Sequence, residues 1–109
     1  SEAFVLAEQL GREHQKLCDI ASKSSGQCWS LTPYCPVPGP VPTSPANRDY
    51  QAGFTAAMML KDLKLSQEAA KAAGAVTELG ANAAKIYSRY VESGESSRDF
   101  SGVIRFIRG

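Results

Sequence analysis

The sequence FTAAMMLKDLKL occupies residues 54–65 and gives the strongest structural signal in the chain. It consists of good helix formers, it follows Gly53 and no proline interrupts it, so we predict one long helix that runs to about Ala73. On a helical wheel one side carries Phe54, Met58, Lys61 and Leu65, and the opposite side carries Ala56, Met59 and Leu63. Apolar side chains surround the first half of this helix, and we therefore expect that half to be buried among other helices.

Two charged residues, Lys61 and Asp62, lie within this apolar zone. In one interpretation Lys61 lays its methylene stem along the core and lifts its ammonium group into water. In the other, both charges point into a cleft shared with a molecule or domain outside this chain, because a buried charge needs a partner. Residues 54–65 alone fit both interpretations.

Length and composition limit the classes of function. A chain of 109 residues fits one domain with one modest core. The net charge of +1 gives no electrostatic basis for binding nucleic acid or a membrane surface. There is no apolar run of roughly twenty residues and no signal peptide, so we expect a soluble protein. Three cysteines and one histidine make neither a disulfide framework nor a zinc site, and free thiols fit a reducing compartment.

The N-terminal third is predicted to be helical. The first eleven residues, SEAFVLAEQLG, read as the later turns of an amphipathic helix that Gly11 closes. Because residue 1 is serine, we expect a fragment that begins inside or just at a helix. We predict a second, shorter helix over residues 12–22 and one further helical turn at Cys28 and Trp29.

A proline-rich segment follows. Residues 33–49 contain all six prolines, so we predict a long loop that is neither helix nor interior strand. Long loops in small domains are usually functional or disordered. Four aromatic residues bracket the segment, namely Trp29, Tyr34, Tyr50 and Phe54. We therefore favour an ordered, functional loop over a polyproline ligand for an SH3 or WW partner or a plain spacer.

Two further helices complete the chain. The stretch AVTELGANAAKIYSRYVESG, residues 75–94, has the spacing of an amphipathic helix that Gly94 ends. Its apolar face is formed by Val76, Leu79, Ala83, Ile86, Tyr87, Tyr90 and Val91. In the last helix Ser96 or Ser97 is the expected cap, and the inward residues are Phe100, Val103, Ile104 and Ile107. No strand pattern competes, so we predict an all-α, compact multi-helix domain with a long proline-rich loop.

These residues carry no self-sufficient catalytic constellation, because the sequence has no glycine-rich phosphate loop, Ser-His-Asp set or metal cluster. Several stretches nevertheless match a known family. They are SEA at residues 1–3, SSGQCWS at 24–30, YCPVPG at 34–39, YQAGF at 50–54, MLKDLKLSQEAA at 59–70 and RDFSGVIRFIR at 98–108. On these stretches the chain resembles the C-terminal helical domain of the 3-hydroxyisobutyrate dehydrogenases, which are β-hydroxyacid dehydrogenases related to 6-phosphogluconate dehydrogenase. Two residues depart from that pattern, Cys35 in place of a frequent asparagine and Lys64 in place of a common glycine.

The resemblance implies a two-domain dehydrogenase of which this chain is the C-terminal part. An N-terminal Rossmann domain, absent here, would bind NAD, and the general acid/base lysine would lie upstream of Ser1. The implied reaction is oxidation of 3-hydroxyisobutyrate to methylmalonate semialdehyde in valine catabolism, with this fragment inactive by itself. The resemblance also implies a small 3-hydroxy acid as the partner, a homo-oligomer such as a dimer, and a cytoplasmic location, or the mitochondrial matrix in a eukaryote.

The resemblance also assigns site residues within this chain. Lys61 is expected to reach the NAD end of the site, because an ammonium group can donate hydrogen bonds to cofactor oxygens. The residues expected to line or close the substrate pocket are Trp29, Tyr34, Phe54 and Asp62. Aromatic walls would exclude water from a transferring hydride. Without the resemblance, the same aromatic residues read as ordinary core side chains and a loop anchor.

An alternative of a different class stays open. The chain could be a free-standing helical interaction module that binds a partner through its proline-rich loop. A preference for NAD over NADP does not follow from this sequence, because the residues that read the ribose belong to the Rossmann domain.

Overall fold

A computed structural model describes all residues from Ser1 to Gly109. The chain forms five α-helices, in stretches of helix-forming residues. The helices are α1 (Glu2–Gln9), α2 (His14–Ala21), α3 (Ala56–Ala73), α4 (Glu78–Tyr90) and α5 (Val103–Arg108). Pro45–Arg48 and Phe100–Gly102 form short 3-10 helices. After α4, Val91–Glu95 forms a wide turn that is kinked at Gly94, whose φ is 97°. There is no β-strand, so the all-α prediction is confirmed.

Helix α3 is the central helix predicted from residues 54–65, and it begins two residues later than expected. The side chain of Thr55 caps it by accepting a hydrogen bond from the backbone N–H of Met58 at 3.1 Å. It ends at Ala73 as predicted, because Gly74 adopts the left-handed conformation with φ of 66°.

The expected burial of this helix on all sides is wrong. Only Ala56 and Leu60 of α3 are buried, whereas Met58 and Leu65 are 51% and 52% exposed. One side of α3 packs against α4 and the turns near the C-terminus. Met58 and Leu65 lie where this packing does not reach, so their side chains face solvent.

Helices α3 and α4 form the most extensive helix pair of the fold. Gly80 allows their close approach, since a Cβ atom there would lie 2.7 Å from Nε2 of Gln67. The expected inward position of Val76 and Leu79 is wrong, because both are 86% exposed. Val76 precedes α4 and Leu79 is its second residue, so both side chains lie at the end of the helix pair, beyond the core.

The main core draws on nearly the whole length of the chain. Its buried residues are Phe4, Cys18, Leu31, Cys35, Val37, Ala46, Tyr50 and Ile104. A smaller cluster between α3, α4 and α5 consists of Ala56, Tyr90 and Val103. Burial of these apolar side chains is the principal stabilising contribution to the fold.

Residues 33–49 are built into this core. The hydroxyl of Tyr50 donates a hydrogen bond to the carbonyl oxygen of Pro36 at 2.8 Å, and Ser44 donates one to the carbonyl oxygen of Cys35 at 2.5 Å. The prediction that this segment contains no helix is wrong at Pro45–Arg48. A proline is tolerated there because it stands in the first turn, where its missing N–H would have no helical partner.

The C-terminal helical region is capped differently from the prediction. Asp99, not Ser96 or Ser97, caps the Phe100–Gly102 turn by accepting a hydrogen bond from the backbone N–H of Ser101 at 3.0 Å. This turn leads directly into α5, whose Val103 and Ile104 are buried as predicted. None of the helices has the length and apolar character needed to cross a membrane.

Candidate functional site

An aromatic groove opens beside the start of α3. We define the aromatic groove by Trp29, Tyr34, Phe54, Met59 and Phe100, which line it together with Ser30 and Gly53. Trp29 stacks on Tyr34 with ring centroids 4.9 Å apart, and Tyr34 stacks on Phe100 at 5.2 Å. Phe54 meets Phe100 edge to face at 5.9 Å. Four aromatic rings therefore form one continuous apolar wall.

Local turns place these rings. Trp29 lies in a turn in which the backbone N–H of Thr32 donates to the carbonyl oxygen of Cys28 at 3.1 Å, where one helical turn was predicted. Phe54 precedes the cap of α3, and its carbonyl oxygen accepts a hydrogen bond from the N–H of Phe100 at 2.8 Å. Trp29 is 62% exposed. A large aromatic face that stays open to solvent is available to a ligand.

Asp99 lies behind the aromatic groove and is fully buried. Its Oδ1 atom accepts hydrogen bonds from the hydroxyl of Tyr34 at 2.7 Å and from the backbone N–H groups of Gly53 and Phe54 at 3.0 and 3.1 Å. Its Oδ2 atom accepts from the N–H and the hydroxyl of Ser101. Five donors thus hold this carboxylate, and it has no ion pair.

The ionisation of Asp99 and Tyr34 follows from these contacts. Burial by itself would raise the pKa of Asp99, but the hydrogen bonds from Ser101 and Tyr34 outweigh it and lower that pKa below its ordinary value. Burial, together with the hydrogen bond to Asp99, raises the pKa of Tyr34. At neutral pH the pair is therefore a carboxylate that accepts a hydrogen bond from a neutral phenol.

The structure places Lys61 and Asp62 apart from the aromatic groove. Both side chains are exposed on α3, and neither makes a hydrogen bond or an ion pair. Lys61 lines a shallow groove of its own, formed with Ala57, Leu60, Lys64, Leu65 and Glu68. Of the five residues predicted for the site, the structure brings together Trp29, Tyr34 and Phe54.

Some residues of this region were missed by the sequence analysis. Phe100 was assigned only to the inward face of a helix, and Asp99 was given no role. The pattern Asp99-Phe100-Ser101 is a helix-cap signal, because aspartate is among the preferred N-cap residues. That signal predicts the position of Asp99 and leaves open its contact with Tyr34, which is 65 residues away.

A second apolar pocket shares the stacked pair Tyr34 and Phe100 with the aromatic groove. Phe4, Leu31 and Tyr87 are among its other lining residues. The hydroxyl of Tyr87 donates a hydrogen bond to the carbonyl oxygen of Phe100 at 3.0 Å, which anchors one end of the stack. No group of three or more His, Cys, Asp or Glu side chains is placed to hold a metal ion.

Comparison with known proteins gives a consistent set of relatives. The profile of the family described as "NAD-binding of NADP-dependent 3-hydroxyisobutyrate dehydrogenase" matches residues 1–107. A probable 3-hydroxyisobutyrate dehydrogenase of Mycobacterium tuberculosis is 49% identical over 108 residues, which are 99% of this chain and 36% of that protein. An NAD-dependent L-serine dehydrogenase of Pseudomonas aeruginosa is 43% identical over 94% of this chain and 35% of its own length.

Solved structures agree with these relatives. The structure of Mycobacterium tuberculosis 3-hydroxyisobutyrate dehydrogenase with L-serine superposes with a TM-score of 0.95 at 49% identity, covering 99% of this chain and 37% of that one. A 3-hydroxyisobutyrate dehydrogenase of Salmonella typhimurium shares the fold, with a TM-score of 0.82 at 23% identity over 96% of this chain and 34% of its own. The chain spans about a third of the length of the curated relatives it matches.

Proposed function

Because the chain belongs to the 3-hydroxyisobutyrate dehydrogenase family, we propose that it is the helical, substrate-side domain of an NAD-dependent dehydrogenase. The proposed reaction oxidises 3-hydroxyisobutyrate to methylmalonate semialdehyde. The observation that carries this proposal is the aromatic groove, in which the 62% exposed Trp29 stacks on Tyr34. Such a wall suits a small substrate with an apolar carbon frame and keeps water from it.

The length of the relatives indicates which part of the reaction this chain serves and which part the rest of the protein serves. The relatives are about three times as long as this chain, and a nicotinamide cofactor needs a phosphate-binding loop that this sequence lacks. We propose that a Rossmann domain supplies that loop and that this chain corresponds to the C-terminal domain of 6-phosphogluconate dehydrogenase-like proteins. The chain by itself is then inactive, since the general acid/base lysine also belongs to the longer protein.

One residue of this chain, Lys61, is suited to contact the cofactor. The ammonium group of Lys61 is exposed and has no ion-pair partner, so it is available to donate hydrogen bonds to cofactor oxygens. NAD, when bound, supplies the hydride acceptor. Trp29, Tyr34 and Phe54 hold the substrate's carbon frame and exclude water. Asp62 lies on α3 apart from the aromatic groove, so the closing role that the resemblance assigns to it would require the longer protein.

L-serine is a second candidate substrate. A Pseudomonas aeruginosa relative is named an NAD-dependent L-serine dehydrogenase, and a Mycobacterium tuberculosis relative was solved with L-serine. L-serine and 3-hydroxyisobutyrate are both 3-hydroxy acids, and they differ in the group on C2, which is an ammonium in one and a methyl in the other. The same groove can therefore present both substrates to one reaction.

Assembly and location are part of the same proposal. Leu6, Leu10 and Ile20 are between 60% and 69% exposed, and Val76 and Leu79 are 86% exposed. Apolar side chains as open as these are suited to contact with the cofactor domain or with a second subunit. We place the enzyme in the cytoplasm, or in the mitochondrial matrix of a eukaryote, since the Drosophila melanogaster relative is named mitochondrial.

A free-standing interaction module has less support. A polyproline ligand must present its prolines to a partner, whereas Cys35, Val37 and Pro45 of the proline-rich segment are fully buried. The exposed prolines, Pro33, Pro38 and Pro42, are separated by buried or half-buried residues and form no continuous exposed polyproline face.

The test is NADH formation from 3-hydroxyisobutyrate by the complete dehydrogenase that contains this chain. Lys61→Ala and Trp29→Ala are each expected to lower kcat/KM by roughly tenfold or more, the loss of a hydrogen bond or a packing face at the site. Lys71→Ala, in the exposed last turn of α3, is the matched control and should leave kcat/KM within twofold. Silent Lys61 and Trp29 variants, or an inactive parent enzyme, would refute the proposal.

A further inference from the structure

One buried tyrosine hydroxyl has no hydrogen-bond partner in the chain. Tyr90, at the end of α4, is only 2% exposed. The hydroxyls of the other three tyrosines, Tyr34, Tyr50 and Tyr87, each donate a hydrogen bond to another residue, whereas that of Tyr90 makes none. A buried donor that lacks an acceptor destabilises the fold. The acceptor for this hydroxyl is therefore expected to come from outside the chain.

The Tyr90 hydroxyl lies at the wall of a small pocket. We define the polar pocket by its six lining residues, which are Tyr90, Ser93, Glu95, Gly102, Arg105 and Phe106, and its volume is about 250 Å³. The hydroxyl lies beside Gly102, because a Cβ atom at that residue would collide with it. Burial, together with the charge of Glu95, raises the pKa of Tyr90 to about 12, so at neutral pH the hydroxyl carries its proton.

Arg105 supplies further donors to the polar pocket. One of its terminal nitrogens donates a hydrogen bond to Oδ1 of Asp49 at 2.9 Å, and its other guanidinium N–H groups make no hydrogen bond within the chain. The side chain is 46% exposed, so the pocket is open to solvent on this side. A guanidinium group beside a neutral hydroxyl is suited to hold a carboxylate.

Glu95 and Ser93 supply acceptors to the same pocket. Oε2 of Glu95 contacts Nε of Arg98 at 3.2 Å, and Oε1 has no partner. The hydroxyl of Ser93 donates its proton to the carbonyl oxygen of Tyr90 at 2.6 Å, so toward a ligand its oxygen accepts. The negative charge of Glu95 disfavours a simple anion, whereas a ligand that also carries an ammonium group would satisfy it.

From these contacts we propose that the polar pocket binds a small α-amino acid as its zwitterion. The carboxylate of the ligand accepts hydrogen bonds from Tyr90 and Arg105, and its ammonium group donates to Glu95 and Ser93. The volume is smaller than that of pockets for drug-sized ligands, which limits the ligand to a short side chain. No residue of the polar pocket lines the aromatic groove, so this site is separate from the proposed substrate site.

The experiment is calorimetric titration of the complete dehydrogenase with three probes. L-alanine should bind at least tenfold more tightly than propionate, which lacks the ammonium group, and than ethylamine, which lacks the carboxylate. Tyr90→Phe should weaken L-alanine binding by about tenfold, the effect of one hydrogen bond to a charged group. Glu95→Gln should reduce the preference for L-alanine over propionate to below threefold, because it removes the charge that pairs with the ammonium group.

Two control variants locate the binding. Tyr87→Phe makes the same change one turn earlier on α4, at a hydroxyl that donates to Phe100 and lies outside the polar pocket. Trp29→Ala alters the aromatic groove. Both should leave the affinity for L-alanine within twofold. Without ligand, Tyr87→Phe should lower the melting temperature, whereas Tyr90→Phe should not, because only the Tyr87 hydroxyl has a partner in the chain.

Four results would overturn the amino-acid site. The absence of saturable L-alanine binding at millimolar concentrations would show that the pocket holds water only. Propionate that binds as tightly as L-alanine would indicate an anion pocket. Binding that is lost in Trp29→Ala and kept in Tyr90→Phe would place the amino acid in the aromatic groove. Equal destabilisation by Tyr90→Phe and Tyr87→Phe would show that the Tyr90 hydroxyl is already paired within the protein.

Discussion

Arg108 in α5 donates two hydrogen bonds to the carboxylate of Glu8 in α1, at 2.8 and 2.6 Å, across 100 residues of sequence. The same carboxylate contacts Nε2 of His14 in α2 at 2.8 Å. One glutamate thus ties the distant helix α5 to the neighbouring helices α1 and α2. Bidentate pairing of this kind is the strongest geometry for an arginine and a carboxylate.

This relationship predicts a pH dependence of stability. The hydrogen bonds from Arg108 lower the pKa of Glu8 in the folded chain. A lowered folded-state pKa means that the contribution is fully present above the unfolded value of about 4.3 and is lost as the pH falls through the folded value. Glu8→Gln should therefore reduce the free energy of unfolding by about 1 kcal/mol at pH 7, with the difference shrinking in acid.

Urea unfolding at pH 7 and at pH 3 measures this effect. Glu13→Gln removes the same charge from an exposed side chain that makes no hydrogen bond or ion pair, so it serves as the control. A Glu8→Gln difference that stays constant between the two pH values would contradict the prediction.

Gly53→Ala should disturb the aromatic groove. The added methyl would lie 2.9 Å from the Tyr34 oxygen, so Tyr34 must shift away from Asp99 or the backbone must move. We expect a loss of about 1–3 kcal/mol in the free energy of unfolding and a change in Trp29 emission. In Gly26→Ala, the control, the new methyl meets its nearest neighbour at an ordinary 3.5 Å. Thermal unfolding that is equal for the two variants would count against the geometry at Gly53.

Ile104→Ala tests the main core. Ile104 is fully buried and belongs to the same cluster as Phe4, Tyr50 and Val37. Truncation should cost about 2–5 kcal/mol in the free energy of unfolding, because it removes buried apolar area and leaves a cavity. Ile20→Ala makes the same change at a side chain that is 69% exposed, where about 0.5 kcal/mol or less is expected. Chemical denaturation of both variants gives the comparison, and similar losses would show that the core is placed elsewhere.

The three cysteines should differ sharply in their reaction with a thiol reagent. All are free, Cys28 is exposed, and Cys18 and Cys35 are buried. Burial also raises the pKa of Cys35 to about 11, which reduces its reactive thiolate at neutral pH. We expect one thiol to react quickly in the native chain and all three in denaturant. Fast labelling that persists in a Cys28→Ser variant would contradict this burial pattern.

Local signals in the sequence predicted the elements well. Good helix formers without an interrupting proline predicted a helix to about Ala73, and α3 ends there with Gly74 in a left-handed conformation. These signals succeed because helix formation and termination depend on residues within one or two turns of each other.

Predictions of burial failed where the apolar pattern faces outward. Met58 and Leu65 on α3, and Val76 and Leu79 beyond its end, were expected inside and are exposed. Hydrophobic periodicity reports that a surface is suited to burial, and it carries no information on whether the covering surface belongs to the same chain.

Three residues of the aromatic groove were named from the family resemblance and not from local sequence signals. Trp29, Tyr34 and Phe54 were named because of the family resemblance, and the structure brings them together in one groove. Asp99 was missed, because Ser96 and Ser97 were considered as the helix cap and Asp99 was given no role. Its burial depends on donors from residues 34 and 53, which are brought close only by the complete fold.

The main core contains residues from both ends of the chain, and this limits when the domain can fold during synthesis. Phe4 and Ile104 pack in one cluster, so the ribosome must release almost the whole segment before that cluster can close. At about 5–20 residues per second, α1 would wait for several seconds with its apolar face uncovered. Contacts between such distant residues also slow folding, because the intervening chain must be ordered before they form. Helix α1 therefore has only its neighbour α2 as a helical packing partner until α5 has emerged.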